Sequence, residues 1–171
     1  FAFSRPSVGS WVTYGMGTVN QNLPGFVVIA PQQTYAGTQV YSNDFLPAVN
    51  QGTLVVPGAD PVANVKPRIP PKKQRQELLA LQELNKLHLD TREHKGTLSA
   101  RMKSFEIAYG MQQAVPDAFD FSKETKATLA SYAIQSDSTM GFGWQCLAAR
   151  RLIERGVRFV QVPMVATGHD R

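Results

Sequence analysis

Residues 142–163 read FGWQCLAARRLIERGVRFVQVP, a helical pattern followed directly by an apolar strand pattern. Apolar residues recur at helical spacing in its first half, which predicts one buried helix face. The residues of that face are Phe142, Cys146, Ala149 and Ile153, with Ala148 and Leu152 beside them. Gly156 lies where a helix C-cap is expected, and residues 157–162 are expected to form a strand. A helix that leads into a strand through one glycine is typical of an α/β sheet.

The C-terminal half of this helix is basic. We expect its arginines to lie in the last turns, where positive charge complements the helix dipole. They are Arg150, Arg151 and Arg155. Cys146 is interpreted as a small packing residue, because no neighbouring base would activate its thiol.

A second helix–strand unit is predicted over residues 1–30. Residues 26–30, FVVIA, form a continuous apolar run, which indicates a strand covered on both faces of a parallel sheet. Before it, a short helix is expected with Ser4 as N-cap and Pro6 in the first turn. Gly15 and Gly17 are expected to end that helix.

The middle of the chain divides by its proline content. Seven of the eleven prolines lie in residues 31–71, which are interpreted as a long loop lying over the surface of the domain. Residues 72–115 contain no proline and predict one long helix or two abutting helices, with a break near Gly96. A shorter helix is expected to follow, with Ser122 as its N-cap. The helical stripes comprise Leu78, Leu81, Leu84, Leu87 or Leu89, and then Leu98, Met102, Phe105 and Tyr109.

These patterns predict a single α/β domain over residues 1–171. Its units are 1–30 (helix and strand), 31–71 (Pro/Gly-rich loop), 72–140 (helical region) and 141–171 (helix and strand). Both helix–strand units lack neighbouring strands in the sequence, so we expect an incomplete domain, an internal fragment of a larger one. Such a fragment would leave sheet edges uncovered, and we expect it to aggregate and to lack activity on its own.

The formal net charge is +5, and the basic residues are concentrated in one short stretch. Within residues 66–75, five cations occur without an acid, and Lys72, Lys73 and Arg75 are the candidates for binding an anion or a partner. A solvated helix surface explains the same pattern. No aromatic residues are interleaved with these charges, which argues against a nucleic-acid groove. No apolar stretch is long enough for a membrane span.

Only one of the three histidines occupies a place where chemistry is expected. His88 and His94 are six residues apart, which does not place them on one helix face, so both are interpreted as surface residues. His169 and Asp170 follow the last predicted strand in a loop. Ligands of α/β sheets gather beyond the carboxyl ends of strands, so these two residues are the candidate metal ligands.

Three stretches of the sequence carry a resemblance to a bacterial family. They are RPSVGSWVTYGMG at residues 5–17, NQNLPGFVV at 20–28 and CLAARRLIERGVRFVQV at 146–162. Together, and in this order, they resemble the family called domain of unknown function 1501. The resemblance covers essentially the whole chain.

The resemblance implies a fold similar to that of sulfatases and alkaline phosphatases. The chain would be part of an α/β/α sandwich with a long helical insertion and a long proline-rich loop. The intact parent would be an exported, periplasmic hydrolase of sulfate or phosphate esters, with divalent metals bound by Asp and His residues. The catalytic residues would lie outside this chain, His169 and Asp170 would neighbour the metal ligands, and no metal is expected in the fragment itself. The alternative from the residues is a non-catalytic module for an anionic polymer or a protein partner.

Overall fold

A computed structural model of the chain describes residues 5–31, 37–90, 95–134 and 141–163. The helices and strands follow in the order α1 (Val8–Met16), β1 (Phe26–Ile29), β2 (Thr53–Val55), α2 (Pro71–Asp90), α3 (Lys95–Phe119), α4 (Lys126–Ser131), α5 (Phe142–Glu154) and β3 (Phe159–Gln161). Short 3₁₀ helices occupy Gly37–Val40, Ala48–Asn50 and Phe121–Lys123. The helices and the parallel sheet together make an α/β fold.

The three strands of the described residues form one parallel sheet in the order β2-β1-β3. Val27 of the central strand lies opposite Thr53 on one side and Val160 on the other. Every residue of β1 is buried, because neighbours cover both its edges and both its faces.

The side chains of β1 alternate between two apolar clusters, as the pleat of a strand requires. Val27 and Ile29 pack in a cluster with residues of α3 and α5, including Val115 and Leu152. Phe26, Val28 and Ala30 form the opposite cluster, against which Val40, Tyr41, Leu54 and Phe159 pack. Burying a side chain of this size contributes about 1.5–3 kcal/mol. The prediction of a strand covered on both faces is therefore confirmed.

Helix α1 begins later than predicted. Its N-cap is Ser7, so neither Ser4 as the cap nor Pro6 in the first turn is correct. The backbone N–H of Ser7 donates to the carbonyl of Ser42 at 2.9 Å, and this contact holds the chain extended before the helix. Gly17 ends the helix as predicted: its φ is 65°, and its N–H donates to the Thr13 carbonyl at 2.9 Å.

The loop interpretation of residues 31–71 is wrong in one important respect, because this segment contains strand β2. Val55 is 2% exposed and belongs to the core. Gly52 lets the strand approach the centre of the sheet, since a Cβ atom there would lie 2.6 Å from the ring of Phe26. A three-residue strand in a proline-rich background carries almost no periodicity, so the sequence pattern did not reveal it.

Two antiparallel helices follow, the second of the two arrangements that the proline-free segment allowed. The side chain of Gln82 in α2 donates to Glu106 of α3 at 2.9 Å. Helix α2 is described to Asp90 and α3 from Lys95, one residue before Gly96, and α3 continues through Pro116 to Phe119. Pro116 is exposed, which limits the cost of its missing N–H.

The leucine stripe of α2 does not enter the core. Leu81, Leu84 and Leu87 are 53%, 62% and 67% exposed. No described side chain of this helix is buried. The face that α2 turns toward α3 is instead half-buried and mixed in character, and it includes Leu78, Gln82 and Leu89.

Helix α4 is capped by Thr125, and Ser122 is not its N-cap. The Thr125 hydroxyl accepts from the backbone N–H of Thr128 at 3.0 Å. Ser122 lies in the preceding 3₁₀ turn, where its own N–H donates to the carboxylate of Asp120.

The predicted buried face of α5 is also wrong. Phe142 and Ile153 are 50% and 56% exposed, and Cys146 is only half-buried. The helix is rotated so that a different set of side chains is buried, and two of them are polar. The buried set is Trp144, Gln145, Leu147, Ala148, Arg151 and Leu152. Gly156 ends the unit with φ of 89°, as the sequence predicted.

Candidate functional site at the carboxyl edge of the sheet

The strand order places a topological switch point in the sheet. From β1 the chain moves to β2 on one side and later reaches β3 on the other side. In open parallel sheets a crevice for ligands opens outside the carboxyl ends of the strands at such a point. Here it lies between the carboxyl ends of β1 at Ile29 and β3 at Gln161.

A proline follows each of the three strands within two residues. These prolines are Pro31, Pro57 and Pro163. Proline has no N–H to donate and cannot extend a ladder of hydrogen bonds. The three strands therefore end at nearly the same height in the sheet. Their carboxyl ends form one edge, and a ligand site can be built on that edge.

The candidate metal ligands His169 and Asp170 lie outside the described residues. The same holds for residues 32–36, which continue from β1 at this edge. The described part of the structure therefore supplies the strand ends at this edge, Ile29 and Gln161 among them.

On the β2 side, a pocket of about 300 Å³ opens next to the segment that follows this strand. Trp144 forms its aromatic wall and stacks on Phe119, with ring centroids 5.6 Å apart and planes at 10°. Gly58, Asp60, Asp120 and Lys66 contribute the polar part of the lining, and Lys66 also borders a second groove. Neither Trp144 nor Asp60 was recognised in the sequence, because the pocket combines segments that are more than eighty residues apart.

Both carboxylates of this pocket already have partners. Asp60 forms an ion pair with Lys66 at 2.6 Å. A hydrogen bond from Ser122 is the main reason that the pKa of Asp120 lies below its ordinary value. The pocket therefore holds no carboxylate without a polar partner among its described lining residues.

The pocket does not complete a metal centre. Within residues 5–31, 37–90, 95–134 and 141–163, no group of three or more His, Cys, Asp or Glu side chains could hold a metal ion. A centre at this edge would therefore have to take ligands from other residues.

The arginines of α5 form a cluster with the end of α3 and the turn after it, and one of them is buried. Arg151 has a side chain only 7% exposed. Its Nε donates to the carbonyl of Ala118 at 2.9 Å and its Nη2 to that of Asp117 at 2.8 Å. It also pairs with Glu124. Arg151 thus satisfies carbonyls at the end of α3, which a helix cannot pair internally.

The two neighbouring arginines complete this cluster. Arg150 pairs with Glu124 at 3.3 Å, and Arg155 pairs with Asp117 at 2.7 Å. Arginine hydrogen bonds hold the pKa of Glu124 and of Asp117 below their ordinary values, chiefly those from Arg151 and Arg155 respectively. The three arginines were predicted to complement the dipole of their own helix. Arg155 does so, since its Nη1 donates to the Arg151 carbonyl in the last turn of α5 at 3.1 Å. All three arginines also join α5 to the end of α3 or to the turn that follows.

The five cations of residues 66–75 lie in two different environments. Lys72, Lys73 and Arg75 are exposed on the first turns of α2. Lys66 and Arg68 line a separate groove of about 420 Å³, together with Gln74 and Leu81 of α2 and Gln112 of α3. We refer to this as the basic groove. It is formed by the segment before α2 and the helical hairpin, not by the carboxyl edge of the sheet.

Polar residues of the first helix–strand unit have structural roles. Ser10 is fully buried and donates to the Ser42 carbonyl at 3.0 Å. Asn20 accepts from the backbone N–H of Leu23 at 3.0 Å and donates to the Arg155 carbonyl, so it satisfies backbone groups. His88 is exposed on α2, whereas His94 lies outside the described residues.

Among the described residues, none of the helices has the length and apolar character needed to cross a membrane. No curated protein and no solved structure matches the chain. A family model described as "Protein of unknown function (DUF1501)" matches residues 2–170. Because the match extends over nearly the whole sequence, the chain belongs to the DUF1501 family.

Proposed function

We propose that the protein containing this chain is a metal-dependent hydrolase of sulfate or phosphate esters with a sulfatase-like α/β/α sandwich. The observation that carries this proposal is the switch point between β1 and β3, and in the sequence His169 and Asp170 follow the last residue of β3, Gln161, by eight and nine positions. His and Asp side chains are ligands of catalytic divalent metals, and the carboxyl edge is where α/β sheets bind ligands. The resemblance of the sequence blocks to sulfatase-like proteins suggests the ester class and an exported location.

The described residues would hold the strand ends of such a site in position. The pairing of the buried strand β1 with β2 and β3 fixes the level of the strand ends. The pocket beside Trp144 offers an apolar wall, and its two carboxylates outnumber its one cation, Lys66, which suits the uncharged part of an ester better than its anionic group. We therefore place the sulfate or phosphate group at the β1–β3 crevice and the organic part toward this pocket.

The test uses the natural gene product, purified without added chelator. Metal content is measured by mass spectrometry, and hydrolysis is followed with p-nitrophenyl sulfate and p-nitrophenyl phosphate. We expect bound divalent metal and turnover of one ester, and we expect His169→Ala and Asp170→Ala to lower metal occupancy or activity by about 10–100-fold. His88→Ala is the matched control and should retain both properties.

Two results would overturn the proposal. One is a folded wild-type protein that holds no metal and hydrolyses neither ester. The other is full metal content and activity in both the His169→Ala and Asp170→Ala variants.

A further inference from the structure

The basic groove has the shape and lining of a binding site that is separate from the sheet edge. It lies between the segment before α2 and the first turns of that helix, with Gln112 of α3 at its base. Ile69, Leu78 and Leu81 give it an apolar wall. Lys66 and Arg68 provide positive charge, and the lining includes one carboxylate, that of Glu77. Its volume of about 420 Å³ is large enough for one or two side chains of a partner.

Positive charge is in excess around this groove. Residues 64–81 contain five cations and one acid, Glu77. Lys66 pairs with Asp60, and Lys73 lies 4.0 Å from Glu77. Arg68, Lys72 and Arg75 form no ion pair with another described residue, so their charges are available to a partner.

A row of exposed leucines leads out of the groove along α2. Leu81 belongs to the groove wall, and Leu84 follows three residues later on an adjacent part of the helix surface. They are 53% and 62% exposed, which is unusual for large apolar side chains that neighbour each other. Deeper in the groove, the side-chain oxygen of Gln74 is buried without a hydrogen-bond partner. An unpaired buried acceptor is costly, and a donor from a bound molecule would satisfy it.

We propose that the basic groove binds an amphipathic, acidic helix of a partner protein. Such a helix would place an apolar side chain against Leu78 and Leu81 and extend along Leu84, with its acidic residues facing Arg68 and the cations of the first turn. This is the helix-in-groove mode, in which apolar anchors at i, i+3 and i+7 confer affinity. The inference is independent of the proposed hydrolase activity.

Other anionic partners fit the lining less well. Single-stranded nucleic acid needs aromatic side chains on which its bases stack, and none lines the groove. An anionic polysaccharide would use the cations but leave the leucines exposed. A bilayer surface is too flat to reach the amide of Gln74 at the bottom of a groove.

The probe is a fluorescein-labelled synthetic peptide of about 16 residues, with leucines at i, i+3 and i+7 and glutamates at flanking positions. Binding to the protein is measured by fluorescence anisotropy. We expect saturable binding that Leu81→Ser and Arg68→Gln each weaken by about tenfold. Leu79→Ser and Lys126→Gln are the matched controls, because Leu79 is also 53% exposed on α2, Lys126 is exposed on α4, and neither residue lines the groove. Each control should change the affinity by less than about twofold.

A peptide of the same composition in scrambled order separates a helix-specific groove from general attraction of negative charge. Equal binding of the scrambled peptide overturns the proposal, and so does the absence of saturable binding of the designed one. Heparin and phosphatidylglycerol vesicles are tested in parallel. If either binds while the peptide does not, the surface recognises a polyanion or a membrane and the inference is wrong. Circular dichroism of each variant verifies that these exposed substitutions leave the fold intact.

Discussion

Gly9 leaves the space that the ring of Phe26 fills, since a Cβ atom on Gly9 would lie 2.4 Å from that ring. Gly52 lies next to the same ring, and a Cβ atom on Gly52 would lie 2.6 Å from it. Phe26 is 1% exposed and begins the central strand. The two glycines therefore allow α1 and the start of β2 to approach the sheet closely.

Replacing Gly9 by alanine should destabilise the protein by about 1–3 kcal/mol, because the new methyl group overlaps a ring that has nowhere to move. Gly15→Ala in the same helix is the control. Nothing lies within 4 Å of a Cβ atom there, so alanine should be neutral or should stabilise the helix by up to about 1 kcal/mol. Urea denaturation of both variants measures the difference, and equal stabilities would contradict the packing described for α1.

A lysine side chain should not be able to replace the contacts that the buried guanidinium of Arg151 makes. A single ammonium group cannot reach the carbonyls of Ala118 and Asp117 and the carboxylate of Glu124 together. We expect Arg151→Lys to lower the free energy of unfolding by about 3 kcal/mol. The neighbouring change Arg150→Lys should cost less than about 1 kcal/mol, because that side chain is 38% exposed. Comparable losses in the two variants would show that burial of Arg151 does not govern its contribution.

Acid should weaken the ion pairs that connect α5 to the turn after α3. The pKa of Glu124 is lowered in the folded protein, first by the hydrogen bond from Arg151 and then by the charge of Arg150. Its contribution to stability is therefore fully present above its unfolded pKa of about 4.3 and is lost as the pH falls through the lower folded value. Asp117 and Asp120 shift in the same direction and add to this loss.

The Glu124→Gln variant tests this assignment. It should be less stable than the wild type at pH 7, and the difference between the two proteins should shrink as the pH falls below about 4. The measurement is the midpoint of thermal unfolding at a series of pH values. Parallel curves for the two proteins would rule out Glu124 as a source of the acid sensitivity.

Trp144 should matter far more for stability than Phe142, although both aromatic residues lie in the first turn of α5. Trp144 is 5% exposed and stacks on Phe119, whereas Phe142 is 50% exposed. Trp144→Ala should cost about 3–5 kcal/mol, and Phe142→Ala should cost less than about 1 kcal/mol. Circular dichroism during chemical denaturation is the suitable probe, since the first substitution removes one of two tryptophans. The opposite ranking would restore the helix face predicted from the sequence.

The sequence predicted the elements whose signal is local. The run at residues 26–30 and the glycines at 17 and 156 predicted β1 and two helix ends correctly, because burial and left-handed backbone geometry act directly on residue choice. Strand β2 was missed since it is held by Gly52 and by its pairing with β1, neither of which shows as periodicity.

The buried face of α5 shows a second kind of limit. Hydrophobic spacing favoured a face with Phe142 and Ile153, while the structure buries Gln145 and Arg151 instead. A buried arginine is tolerated only where partners compensate its charge, and those partners come from the end of α3 and from Glu124, at least 27 residues away. The pocket beside Trp144 escaped prediction for the same reason, because segments distant in the sequence build it.

Because a proline follows each strand, changes in the segments after the strands can be independent of changes in the sheet itself. A segment that begins with Pro31, Pro57 or Pro163 cannot pair back into the sheet, so its length and composition can vary without shifting the strand register. The sheet can thus remain constant while the segments that follow its strands change from one member to another. Relatives with the same core and different segments at its carboxyl edge are the expected outcome.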